Sequence, residues 1–401
     1  MNGIVIIGAV ESGTRAAFAL REAGFTGGVT LVGTEPHLPY ERPPLSKPLN
    51  GAVQMKPICG AEALQAAGID YLQGVSALSL DPGTRSVALS DGRTLGYDKL
   101  LLATGARPRR LTCPGAEQAL DLRTYADAAA IFSRADAGKS VAIMGGGLIG
   151  MELAAVLRGK GITVNVIEMA PKPLGRAVPP RFAAKLHARH QEEGVRFHLG
   201  QGIAEITRDA VVLADGSAVL AGIVVAAIGV VPDIALAEAA GLATGNGILT
   251  DGYLRSSDPN IFAAGDCAAV AQPGGGYIRF ESWRNARSQA ETAARNMTGG
   301  KEAFAAIPWF WTDQYDLGLQ VAGLPRAEHQ IVIRQFEGGE LEFYLDGGRL
   351  AAAAGLGVGN IVAKDIKLAE MLIAAGINPD PAALADPGVN LKALLKSARA
   401  A

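Results

Sequence analysis

The chain carries little sulfur chemistry. Only three cysteines occur in 401 residues, Cys59, Cys113 and Cys267, and none stands in a CxxC or CxxxxC arrangement. This argues against a redox-active dithiol and suits thiols kept reduced in a cytoplasm. Histidine is also scarce, with five in all. Only His187 and His190 lie about one helical turn apart, and a surface helix accounts for them, so no metal site is expected. Charge of one sign is missing. A net charge of −2 gives no electrostatic reason to expect a nucleic acid or a membrane surface as partner. Long apolar runs are missing too, since the longest stretch without a polar side chain, Ala218–Pro232, falls short of the ~20 residues that span a bilayer and predicts a buried strand. Met1 leads straight into an apolar strand at Ile4–Ile7 with no charged leader segment, so the expected location is cytoplasmic.

What is plentiful is apolar surface and glycine. Hydrophobic residues make up 49% of the chain and glycines number 51, which suits large buried sheets with tight turns. The length calls for two or three domains. The clearest local signal is VAIMGGGLIGMELAAVLRGKGITVNVIEMA at 141–170. An apolar strand meets Gly145, Gly147 and Gly150 in GxGxxG spacing, a helix follows, and a second strand ends on Glu168. In such a βαβ unit the glycines admit the tight turn and the close approach of a pyrophosphate, which the helix N-terminus receives. An acid at the end of the second strand suits a ribose 2′-hydroxyl and so predicts NADH rather than NADPH.

Residues 3–35 form a second such unit with an altered fingerprint. Gly8 and Gly13 hold the first and last glycine places, but Val10 takes the middle one and Glu11 follows, while Glu35 ends the second strand. Two such units predict two bound dinucleotides. The proline-rich loop His37–Leu49 presents Arg42 and Lys47. The strand Lys99–Ala103 stops at an Ala103–Thr104–Gly105 turn, and the run Ile223–Ile228 stops similarly at Gly229. The strand Ile261–Ala264 stops at Gly265–Asp266, where a following helix would let Asp266 face a polyol hydroxyl. Residues 280–296 predict a helix carrying Trp283 and a cluster of Arg284, Arg287 and Arg295, with Arg279 close by, as a docking patch for an acidic carrier. From Ile307 the texture changes to alternating strands up to about Gly355 and then to helices, predicting a separate α+β domain.

LPYERPPLSK at 38–47, LLATGARPR at 101–109, GGGLIGMELA at 145–154, IFAAGDCA at 261–268, ESWRNA at 281–286 and PWFWTDQY at 308–315 together resemble the NADH-dependent ferredoxin and rubredoxin reductases of the glutathione-reductase-like flavoprotein superfamily. The resemblance implies an α/β fold of two Rossmann-like dinucleotide-binding domains and a C-terminal α+β interface domain. FAD would occupy 1–108 with 234–308, NADH 109–233, and the interface domain 309–401. It places FAD on the turn of Gly8, Val10, Ser12 and Gly13, with Glu35 on the adenosine ribose, Arg42 and Arg123 near the phosphates and Val75 against adenine. Lys47 would lie beside the reactive edge of the flavin, Ala103, Thr104 and Gly105 would line the cofactor, Asp266 would hold the ribityl chain, and Trp283 and Trp311 would flank the ring system. NADH falls to Gly145, Gly147, Leu148, Ile149, Gly150, Glu152, Glu168, Arg176 and Gly229. Lys47 and Glu152 are the implied catalytic pair, the first stabilising negative charge and the second orienting the nicotinamide. The implied reaction takes a hydride from NADH and passes single electrons to a small acidic [2Fe-2S] ferredoxin or a rubredoxin that feeds an oxygenase or cytochrome P450. The enzyme would be a monomer or homodimer. An NADH oxidase acting on a small acceptor and an NADH-responsive flavin sensor are the alternatives.

Overall fold

The computed structural model describes residues 3–48, 53–136 and 138–400, so Leu49 at the end of the proline-rich loop lies outside the described residues. The chain divides into two units. One comprises residues 1–44, 55–107 and 230–306, the other 45–54, 108–229 and 307–401.

In the first unit the strand Ile4–Ile7 is buried at every position. A run apolar on both faces is what a central parallel strand requires. It lies between Val29–Gly33 and Lys99–Leu102, and the five-stranded parallel sheet is completed by Ile69–Gln73 and Ile261–Ala263. The chain therefore leaves Ile4–Ile7 at the point where strand order reverses, the place where open α/β sheets bind ligands. The helix Glu11–Glu22 begins there and buries Ala16, Ala17 and Leu20 against the sheet.

The second unit repeats the plan. Ser140–Met144 is central in the parallel order Arg196–Leu199, Thr163–Glu168, Ser140–Met144, Ile223–Ala226, Leu120–Asp121, and the helix Leu148–Gly159 starts at its end. A five-stranded antiparallel sheet follows, with Trp309–Gln314 and Gln330–Phe336 as its edges. Met151, Phe182 and Leu186 share one buried cluster with Leu319, Val321 and Tyr344 of that sheet, which joins the two parts of the unit.

Three local expectations change. The run Ala218–Pro232 is cut into the strands Ala218–Leu220, Ile223–Ala226 and Val230–Pro232, with Gly222 and the positive-φ Gly229 as interruptions. No helix follows Gly265–Asp266. The strand Ala268–Ala271 does, because its small side chains fit a buried position beside Gly247–Thr250. His190 is not on a surface face: it is fully buried, with both ring nitrogens hydrogen-bonded. No helix among the described residues is long and apolar enough to cross a membrane, and none of their His, Cys, Asp and Glu side chains group as a metal site.

Candidate functional site

The first glycine turn is built for backbone contact. Gly8 has φ +108° and a Cβ there would stand 2.1 Å from the Ala103 carbonyl oxygen, while a Cβ on Gly13 would stand 1.7 Å from that of Gly8. Val10 caps the helix at φ −105°, ψ −150°, a conformation open to any residue. The hydroxyl of Ser12 and Nε of Arg42 are buried without a hydrogen-bond partner, as donors awaiting an acceptor would be. Beside the turn lies a cavity of about 320 Å³ lined by Gly8, Val32, Thr34, Val75, Thr104 and Asp233 among others. Thr104 is fixed by donating to the Asp233 carbonyl at 2.5 Å. Glu35 accepts from the Tyr40 hydroxyl and, at 3.1 Å, from Arg42 Nη2, so Arg42 is held by the acid of its own unit. These features fit an adenine nucleotide: a slot for a flat apolar base, a carboxylate for its ribose, and unspent donors for its phosphates.

Glu11 opens the helix and is buried. Burial pushes its carboxyl up, while Arg287 at 3.8 Å and the Trp283 indole pull the other way. Trp283 starts the helix Trp283–Met297, capped by Ser282, and the Arg287 guanidinium lies over its ring. The predicted basic patch is largely compensated. Arg279 pairs with Glu281 at 2.8 Å, Arg287 with Glu291 at 3.5 Å and Arg295 with Glu302 at 2.5 Å. Asp266 sits in a turn between strands, its carbonyl accepting from Arg279.

In the second unit Gly145, at φ +104°, and Gly150 are again obligatory, with Cβ positions 2.4 Å and 2.1 Å from the carbonyl oxygens of Ala227 and Gly145. Gly147 differs, since a Cβ there meets nothing within 4 Å. It caps the helix and leaves open space before the N-terminus, which suits a pyrophosphate. Ile149 is exposed there, next to Leu148. Glu168 accepts from the amides of Gly146 at 2.7 Å and Ala170 at 2.8 Å, which fix its carboxylate at the rim of the turn. Gly229 (φ +95°) has open space where a side chain would be, Arg176 is exposed beyond Glu168, and Arg123 leads into the helix Tyr125–Arg134.

Lys47 and Glu152, far apart in sequence, are brought together in this unit. Lys47 Nζ lies 2.9 Å from Glu152 Oε1, 3.4 Å from Asp313 and 5.8 Å from the Trp311 ring centroid. Glu152 is buried and accepts from the hydroxyls of Ser46 and Thr312, each at 2.7 Å. Trp311 stacks on Trp309, with centroids 5.2 Å apart. Sequence reasoning missed Ser46, Thr312, Asp313 and Gln314. The signal was available, because Trp309–Gln314 alternates and its inward positions are the polar Thr312 and Gln314.

Two glycine turns fitted to dinucleotides, and a Lys47–Glu152 ion pair whose carboxylate is buried, outline an oxidoreductase that binds two nucleotides. Comparison with known proteins agrees. The pyridine nucleotide-disulphide oxidoreductase family matches residues 2–290 and the reductase C-terminal family residues 309–395. The ferredoxin–NAD(+) reductase component of the anthranilate 1,2-dioxygenase system of Burkholderia cepacia is 40% identical over 98% of both chains. Putidaredoxin reductase of Pseudomonas putida is 34% identical over 100% of this chain and 98% of its own. The crystal structure of the ferredoxin reductase for the CYP199A2 system of Rhodopseudomonas palustris superposes with a TM-score of 0.93 at 34% identity, covering 98% of this chain and 100% of that one. The chain belongs to the pyridine nucleotide-disulphide oxidoreductase family, and it is a flavoprotein oxidoreductase that works with NAD(H).

Proposed function

We propose that the protein is an NADH-dependent ferredoxin reductase that holds FAD in the domain of residues 1–108 and 234–308 and NADH in 109–233, with 309–401 as an interface domain. It would pass electrons singly to a small acidic [2Fe-2S] ferredoxin or a rubredoxin serving an oxygenase or cytochrome P450 in the cytoplasm. The observation that carries this reading is the ion pair of half-buried Lys47 with buried Glu152 in a chain whose three cysteines are free. Electrons have no protein disulfide to enter and must leave to an external acceptor. A bound flavin supplies the conversion of a two-electron hydride donor into single electrons. Lys47 provides a fixed cation where negative charge accumulates, an electrostatic role in a partly dry site. Glu152, held from Ser46, Thr312 and Lys47, orients the nicotinamide. Glu35, Ser12, Arg42, Arg123, Val75 and Asp266 bind FAD; Gly147, Glu168, Arg176 and Gly229 bind NADH. Trp283 and Trp311 exclude water from the flavin.

The test is NADH oxidation by the flavin-loaded protein with and without a [2Fe-2S] ferredoxin coupled to cytochrome c. Turnover should depend on the carrier. Equal oxidation with oxygen alone would make it an NADH oxidase, and a reduced state that no carrier reoxidises would make it a sensor.

A further inference from the structure

The Glu152 carboxylate is the inner end of a longer chain. Thr312 donates to its Oε1 at 2.7 Å, Gln314 Nε2 reaches Thr312 Oγ1 at 3.1 Å, Gln314 Oε1 lies 2.9 Å from His190 Nε2, and His190 Nδ1 lies 3.2 Å from the Tyr315 hydroxyl. Thr312, Gln314 and His190 are fully buried, so these bonds are sheltered from bulk water.

Their directions follow from chemistry. A carboxylate only accepts, so Thr312 donates to it and must receive the Gln314 amide. That turns the Gln314 carbonyl toward His190, whose Nε2 must then carry the ring proton, leaving Nδ1 to accept from Tyr315. Only a neutral ring does this, and burial pushes His190 down to about 4, with the hydrogen bond to Gln314 and the Glu193 carboxylate opposing and the nearby His187 and Arg189 pushing the same way as burial. Every donor thus points toward one anion, an arrangement in which successive bonds polarise one another.

The outer end is held under strain. Tyr315 has φ +57°, a left-handed conformation costly for a bulky residue. The Arg189 guanidinium lies 5.1 Å from its ring centroid and is tied to Asp316 at 3.2 Å. A hairpin turn that glycine would satisfy instead keeps a tyrosine hydroxyl against His190.

We propose that Thr312, Gln314, His190 and Tyr315 are positioning residues for Glu152, forming a one-directional hydrogen-bond chain that keeps Oε1 facing Lys47 during the reaction with NADH. The proposal rests on the reading that Glu152 orients the nicotinamide.

Thr312→Val keeps the shape and deletes the hydroxyl, Thr312→Ser restores it, and Gln314→Leu cuts the next link. Holoenzymes are compared at equal flavin content, with ferricyanide as acceptor. Thr312→Val should lower kcat about tenfold, the scale of one hydrogen bond to a charged group, and Gln314→Leu, which removes bonds to neutral partners, by several-fold, with KM for NADH little changed and Thr312→Ser recovering most of the loss of Thr312→Val. Independently of activity, ¹⁵N NMR of the histidine rings should show His190 protonated at Nε2 in the wild type and as mixed tautomers in Thr312→Val, a variant that does not touch the ring. Wild-type kcat in Thr312→Val, or an unchanged His190 spectrum, overturns the chain. A Glu152→Gln enzyme that turns over like wild type overturns the role of Glu152 instead; a slow Glu152→Gln beside a fast Thr312→Val overturns the chain alone.

Discussion

Val10 and Gly147 hold equivalent places, each capping the helix that leaves the central strand of its sheet in an extended conformation with negative φ. Glycine at 10 is therefore not required by the backbone, and valine adds a side chain where Gly147 leaves open space. Phosphates in the first turn must stand off that side chain, lengthening some amide contacts. Val10→Gly should strengthen FAD binding by about 1 kcal/mol, the net worth of one hydrogen bond, and should lower apoprotein stability by roughly 0.5–1 kcal/mol through the added freedom of the unfolded chain. Titration of apoprotein with FAD and urea unfolding measure the two effects separately, and unchanged FAD affinity would show that valine does not obstruct. At the other turn, the amides of Gly146 and Ala170 fix the Glu168 carboxylate, and on the proposed reading that Glu168 binds the coenzyme ribose a 2′-phosphate would be repelled there. NADH should be preferred over NADPH by at least about tenfold in kcat/KM, or about 1.4 kcal/mol. Glu168→Ala should erode most of that preference, and equal use of both coenzymes by the wild type would refute the role.

The helices Glu11–Glu22 and Trp283–Met297 meet around a buried acid, and pH reads this contact. Burial raises the Glu11 carboxyl above its ordinary 4.5, so the folded protein binds this proton more readily than the unfolded chain does. The charged form thus costs stability at pH values above the raised value, and the cost disappears as pH falls to about 4.5 and below. Glu11→Gln should stabilise the apoprotein at pH 7, with a gain that shrinks on acidification, and should tighten FAD binding by removing an anion from a phosphate-binding helix end. Urea midpoints at pH 7 and pH 4.5 check the sign, and a constant gain would mean Glu11 titrates normally. At this scale much was legible. Buried parallel strands are apolar runs, and glycines with a forbidden Cβ leave a spacing that can be read directly. The helix expected after Asp266 was misjudged because Ala268–Ala271 is neutral between helix and strand until Gly247–Thr250 pairs with it. His190 was misjudged because its partners Gln314 and Tyr315 are more than a hundred residues away. The Lys47–Glu152 pair was named by resemblance, whereas the inward polar positions of Trp309–Gln314 marked Thr312 locally but not its partner, because its contact and that of Ser46 with Glu152 join residues more than a hundred positions apart.

At the scale of the whole molecule, one buried cluster of the second unit is shared between its parallel-sheet part and its C-terminal sheet. Leu319 and Val321 of the antiparallel sheet are fully buried with Met151 and Phe182, and Glu340 reinforces the contact by accepting from both Arg181 and Lys185 of the helix Pro180–Glu192. Met151 is adjacent to Glu152, and Thr312 lies on the strand paired with Leu317–Gly323, so this core also sets the distance between the two ends of the Glu152–Thr312 hydrogen bond. A cavity here should act on stability and on the site together. Leu319→Ala should cost about 2–5 kcal/mol, the range for a fully buried leucine that leaves a partly collapsed void. Hydrogen exchange should show amides of Leu148–Gly159 and of Arg349–Val358 losing protection by equal free energies, because they open as one cooperative unit. Protection lost only in the C-terminal sheet would mean the two parts unfold separately. In that case Lys47 and Glu152 would owe nothing of their geometry to residues 307–401 beyond Thr312 and Asp313.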